Sequence, residues 1–308
     1  MSEKMKKICG LFLVVGVLFI ATNHLGIFEQ KTTAEQTGST QTTEIKATST
    51  TTSSHETRQQ IKIGKEDSTL YADKELTIKL ATINGGELTE YLSETDDSYQ
   101  IKTNAGTTGY LAKTDGTMLV QKTQNQPASL SDAVIVLDPG HGGDDVGALS
   151  NDEQTEEKTL TLSTAKKLKA ALEAEGATVY LTHTTDEFIQ LGDICTFSKE
   201  KSADVFISLH ADSTEIANEA TGITTYYYYE KNEELAQTIA DGFSELPLNS
   251  RGIMYGNYQV LRENLQPAIL VEMGYMNNDS DLAELVTDDY QEKFAESLTN
   301  SLLAYFSE

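Results

Sequence analysis

Four short, largely apolar runs constrain the fold of this chain more than any other feature: Val134–Leu137, Thr178–Leu181, Val205–Leu209 and Ala268–Val271. Runs that lack a polar alternation belong to strands buried on both faces, as parallel sheets require. Around them lie stretches whose apolar residues recur at multiples of four: Leu160, Leu168 and Leu172; Leu235, Ile239 and Phe243; Phe294, Leu298, Leu302 and Phe306. Each set forms one stripe along an amphipathic helix. Strands alternating with such helices predict an α/β domain over residues 133–308, with a mostly parallel twisted sheet flanked by helices.

The chain upstream is built differently. From Ile61 to Gln121, short alternating segments are separated by Gly85-Gly86, Asp96-Asp97 and Gly106. In one of them Leu76, Ile78 and Leu80 share a face, and the whole pattern predicts a small all-β domain over residues 61–121. Residues 122–132 form a polar linker. Residues 30–60 are mainly Thr, Ser, Gln, Glu and Ala, with Thr48 to Ser54 an unbroken Thr/Ser run, the composition of a disordered tether. Residues 1–29 carry Lys4, Lys6 and Lys7 ahead of an apolar run from Ile8 to Ala21, the layout of an export signal. Continued to Phe28, the run reaches the roughly 20 residues that span a bilayer. With no small-x-small site after Ala21, an uncleaved anchor is favoured over a cleaved signal, with the remainder of the chain outside the membrane. Cys9 lies in that segment and Cys195 in the α/β region, so no disulfide framework follows. A net charge of −25 argues against a sequence-independent grip on nucleic acid, which needs cationic side chains to displace counterions.

Sites in open α/β sheets form beyond the carboxyl ends of the strands. Three of the four runs end there in a metal-binding or proton-transfer residue. Leu137 is followed by Asp138-Pro139-Gly140-His141-Gly142-Gly143, Leu209 by His210, and Val271 by Glu272. Glu157, or its neighbour Glu156, adds a carboxylate at the start of a predicted helix. Singly, each has a plainer reading: a strand-end histidine is usually structural, and a glutamate at a helix N-terminus is favoured by the dipole. Glu272 is harder to dismiss, because a carboxylate within Ile269-Leu270-Val271-Glu272-Met273 is costly to bury without a partner. Together, two imidazoles and one carboxylate make a catalytic zinc shell with an open fourth position, and Glu272 is left to move a proton. No thiolate set for a structural zinc is present.

The segments Asp138 to Gly143, Glu157-Lys158-Thr159-Leu160, Ser208-Leu209-His210-Ala211-Asp212 and Val271-Glu272-Met273-Gly274-Tyr275 resemble, in order and spacing, the zinc-dependent N-acetylmuramoyl-L-alanine amidases. The resemblance covers residues 133–308. It implies a peptidoglycan hydrolase that cuts the amide between N-acetylmuramic acid and the L-alanine of the stem peptide, in wall turnover or cell separation. It assigns His141, Glu157 and His210 to Zn2+ and Glu272 to catalysis; the family pattern, with its ligand directly before Lys, selects Glu157 over Glu156. Asp212 and Arg262 become candidates for substrate contact. The chain departs from the pattern at His183 and Ile194, where the family commonly has Arg, and at Asp212, where it commonly has Asn. His183 is not expected as a fourth ligand, because it would close the site. The connection from Ala211 to Thr221 has no room for the inhibitory helix that some relatives carry, so control by location is expected. Ser98 to Lys102 and Thr108 to Leu111 resemble the close of a bacterial SH3-like domain, although the chain has no Trp. The alternatives are a zinc peptidase on another amide and an inactive wall-binding protein. The sequence assigns no oligomeric state.

Overall fold

A computed structural model describes residues 57–122 and 127–307. The N-terminal apolar run, Cys9 and the tether up to residue 56 lie outside the described residues. Among the described residues, no helix is long and apolar enough to cross a membrane.

The first seven described strands are β1 (Thr57–Ile63), β2 (Ser68–Tyr71), β3 (Lys79–Ile83), β4 (Leu88–Glu94), β5 (Ser98–Lys102), β6 (Thr108–Ala112) and β7 (Gly116–Lys122). They form an antiparallel sheet in the order β3-β2-β6-β5-β4-β1-β7, curled over Ile61, Ile63, Leu70, Ile83, Ile101 and Leu111. The expected inward face of Leu76, Ile78 and Leu80 is not found. Leu76 sits in a turn with φ +56°, and Ile78 and Leu80 are 60% and 47% exposed. The alternation there is real, but β3 is an edge strand and only Ile83 reaches the core.

Six further strands make the second sheet: β8 (Val134–Pro139), β9 (Thr178–Leu181), β10 (Val205–Asp212), β11 (Ile223–Tyr227), β12 (Ser250–Tyr255) and β13 (Ala268–Tyr275). Their order is β12-β11-β13-β10-β8-β9. The four predicted runs occupy β8, β9, β10 and β13, which are mutually parallel. The sheet is mixed rather than uniform, because β11 pairs antiparallel with β13 while β12 runs parallel to β11. Residues 213–222, which join β10 to β11, contain no helix and are too short for a parallel crossover, so the chain re-enters the sheet in the opposite sense.

The helices are α1 (Glu157–Ala174), α2 (Leu191–Glu200), α3 (Glu233–Gly242), the short α4 (Gln259–Arg262), α5 (Asp279–Leu285) and α6 (Asp288–Tyr305). The three predicted stripes lie on α1, on α3 with the turn after it, and on α6, and they cover one sheet face together with Ile135, Leu137, Ile207 and Val271. On the other face Val136, Phe206 and Leu270 pack with Ile194 of α2, Val260 and Leu261 of α4, and Leu88 of the β unit.

Leu88 marks a seam between the two sheets. Tyr229 Oη donates to Arg262 O (2.5 Å) and accepts from Leu88 N (2.9 Å). Tyr228 Oη donates to buried Glu87 (2.9 Å), Arg262 Nε donates to Gly85 O (2.7 Å), and Lys62 pairs with Glu263 (2.8 Å). Tyr229→Phe strips one buried donor and one buried acceptor of their partner. It is expected to lower stability by about 1–3 kcal/mol in urea unfolding, with no loss of secondary structure.

Candidate metal centre

Beyond the end of β8 the chain turns at Gly140, and His141 takes up a left-handed backbone, φ +68°. A non-glycine residue there carries a cost of about 1–3 kcal/mol, which the surroundings must sustain. They do so by clamping the loop. Asp186 Oδ1 accepts from Gly143 N (2.6 Å), and Lys158 Nζ donates both to Gly143 O (2.8 Å) and to Asp186 Oδ2 (2.9 Å).

Glu157 opens α1 and is 3% exposed. Its Oε2 lies 3.0 Å from His141 Nε2 and accepts from Ala148 N (2.8 Å). Its Oε1 lies 3.0 Å from His210 Nδ1 and accepts from Ala211 N (2.9 Å). One metal-binding atom from each of the three side chains falls within 4.8 Å of the others. Glu156, one residue earlier, is half-exposed and faces Lys158.

Two glycines make this convergence possible. A Cβ on Gly147 (φ +71°) would stand 2.5 Å from Glu157 Oε2 and 2.6 Å from His141 Cδ2, and one on Gly140 would stand 2.3 Å from His210 Cε1. Without the glycines the three groups could not close together.

Burial disfavours charge on Glu157 and on His141, yet their contacts outweigh it. Glu157 is held well below the usual carboxylate range by the hydrogen bonds and charges of both imidazoles. His141, also opposed by burial, is lifted to about 9 by Glu157 and then Asp145. His141 Nδ1 is buried 3.0 Å from Asp145 Oδ2, outside hydrogen-bonding geometry. Two imidazoles and a deeply buried carboxylate whose donor atoms converge fit a divalent metal of zinc's preferences.

Glu272 stands beside His210 in the register of β13 with β10. It is 8% exposed, and its Oε2 has no hydrogen-bond partner among the described residues. Burial, then the like charges of Glu157 and Asp212, push its carboxyl well above the ordinary range. Asp212 is itself raised by burial and accepts from Ser213 N.

Arg262, the other candidate for substrate contact, lies at the seam. Its guanidinium is committed to Gly85 O and Asn257 Oδ1. His183 is not among the converging residues: Nδ1 and Nε2 each lie 2.8 Å from a carbonyl oxygen, of Thr185 and Pro139. Cys195 is buried elsewhere, its thiol pushed up to about 12 by burial.

Sequence reasoning missed two supports. Asp138, 2% exposed, accepts from Thr182 Oγ1 and Ser208 Oγ, both at 2.7 Å, and so fixes the ends of three strands beneath the histidines. Its place inside the His141 motif was the available signal. Tyr226 and Tyr258 pack edge to face with centroids 5.2 Å apart. Their phenols are raised by burial and by nearby groups that include Glu272 and Asp212, so this pair walls the same site. Nothing local in the sequence joins them.

The Amidase_3 family, described as N-acetylmuramoyl-L-alanine amidase, matches residues 135–304. The probable cell wall amidase LytH of Staphylococcus saprophyticus is 37% identical over 212 residues, 68% of this chain and 70% of that protein. Its counterpart in Staphylococcus epidermidis is 34% identical over 229 residues, 73% of this chain and 77% of that protein. The crystal structure of an N-acetylmuramoyl-L-alanine amidase from Clostridium difficile superposes with TM-score 0.56 at 35% identity, over 57% of this chain and 97% of its own. The catalytic domain of CwlV, an N-acetylmuramoyl-L-alanine amidase from Paenibacillus polymyxa, gives TM-score 0.54 at 33% identity over 56% and 97%. A family match across more than half the chain establishes that the chain belongs to the N-acetylmuramoyl-L-alanine amidase family.

Proposed function

We propose that this peptidoglycan amidase holds zinc on His141, Glu157 and His210 and uses Glu272 as general base and acid. The convergence of three metal-binding atoms within 4.8 Å, beside a buried and unpartnered carboxylate, carries the reading. A bound zinc supplies Lewis acidity, polarising the amide carbonyl and easing deprotonation of the attacking water. In the metal-free protein Glu157 sets the orientation of both imidazoles through its two oxygens. Glu272 takes the proton of the water and returns it to the amine of the departing L-alanine. Asp138, Asp186 and Lys158 keep the His141 loop in place.

The enzyme acts at the cell surface, tethered by its N-terminal basic and apolar segment, and this part of the proposal rests on the sequence alone. The all-β unit is read as SH3-like, and its antiparallel sheet is consistent with that reading.

Glu272→Gln is expected to lower turnover on isolated walls by roughly 10²–10⁴-fold with zinc content unchanged. Undiminished hydrolysis would sink the assignment. Mass spectrometry of the products separates an amidase, which releases intact stem peptides from glycan, from a zinc peptidase. An inactive wall-binding protein would release neither.

The metal-free protein gives a second check. His141 rises from its ordinary 6.5 to about 9 on folding, so its pairing with Glu157 adds stability that is full below pH 6.5 and is lost as pH climbs through 9. A zinc ligand must be neutral, so zinc binding near pH 7 should expel about one proton. Calorimetry in buffers of different ionisation enthalpy measures that release. Zinc uptake without proton release would contradict the role of His141.

A further inference from the structure

The antiparallel strand β11 sets one more side chain beside the site. Thr224 is the register partner of Glu272 across β11 and β13, and Glu272 is in turn the partner of His210 across β13 and β10. Directly opposed residues point to the same face, with Cβ atoms about 4.5–5.5 Å apart in an antiparallel pair. The neighbours agree on which face that is. Tyr226 and Tyr228 of the β11 segment, with Ala268 and Leu270 of β13, lie in the core on the side of α2 and α4. Ile223, Val271 and Met273 lie in the core on the opposite side. Thr224, Glu272 and His210 therefore form a row along the catalytic edge of the sheet.

Two oxygens in this row are buried without partners: Thr224 Oγ1, on a residue 1% exposed, and Glu272 Oε2. A buried hydroxyl that makes no hydrogen bond lowers stability, and so does a buried carboxylate with no donor. Their adjacency gives each the partner it lacks, since contacts that are open in a resting site often close only around substrate.

We infer that Thr224 is a positioning residue: its hydroxyl donates to the Glu272 carboxylate during turnover and fixes which oxygen faces the attacking water. Once Glu272 has taken the proton, the same hydroxyl accepts from the carboxylic acid. A threonine can serve both states because it is donor and acceptor at once. The inference rests on the general-base role proposed for Glu272.

The test compares Thr224→Val, Thr224→Ser, Thr225→Val and Glu272→Gln in the full-length, zinc-loaded enzyme. Thr225 is a control, because its hydroxyl is also buried and unpartnered but belongs to the next residue, on the opposite face. Thr224→Val should lower kcat roughly ten- to a hundred-fold, the size of a lost hydrogen bond to a charged group, with KM and zinc content unchanged. Its thermal midpoint should equal or exceed that of the wild type, because an unsatisfied buried hydroxyl is gone. Thr224→Ser should recover most of kcat, and Thr225→Val should keep wild-type kcat. The inference is overturned by an unimpaired Thr224→Val, by failure of Ser to rescue, or by a loss of kcat that tracks a fall in Tm or zinc. Should Glu272→Gln remain active, the general-base reading fails and Thr224 with it. If Glu272→Gln is inactive while Thr224→Val is normal, only the present inference falls.

Discussion

A carboxylate buried between two imidazoles organises this molecule. Glu157 has lost nearly all its water, and its two oxygens are satisfied only because two backbone amides and two histidine rings come to it from two other segments, the loop after β8 and the end of β10. Such a group is tolerable only as part of a complete set, since removal of any partner leaves a charge stranded in a poor dielectric. The left-handed turn at His141, the clamp of Lys158 with Asp186, and the placing of Glu157 on the first residue of α1 all serve that one requirement.

The reversal of chain direction at β11 has comparable reach. In a wholly parallel sheet only strand ends would meet at the catalytic edge. Here the beginning of β11 arrives there too, so Thr224 adjoins Glu272 while Tyr226 packs with Tyr258 further along the same face. Just past β11, Tyr228 and Tyr229 anchor the all-β unit. A single segment therefore joins the wall of the site to the seam.

Much of this was legible in the sequence, for identifiable reasons. A doubly buried strand is a local signal, and the residue that follows it lies at the catalytic edge by topology, so His141, His210 and Glu272 could be picked out from the chain alone. The choice between Glu156 and Glu157 could not be made from local physics. Adjacent helical residues point about 100° apart, and the phase is set where extended backbone gives way to helix, which happens between these two. Thr224 was invisible because cross-strand register is not written in either strand. Ile78 and Leu80 misled because alternation identifies a face without saying whether the strand lies at a sheet edge. The bonds of Arg262 to Gly85 and Asn257 were equally invisible, because they depend on where the β unit packs.

The glycines at 140 and 147 leave no spare volume beneath the histidines or behind Glu157, because a single methyl group at either place would overlap them. The centre is therefore as intolerant of added bulk as it is of lost contacts. A side chain added at either position would disperse the metal set without removing any of its members.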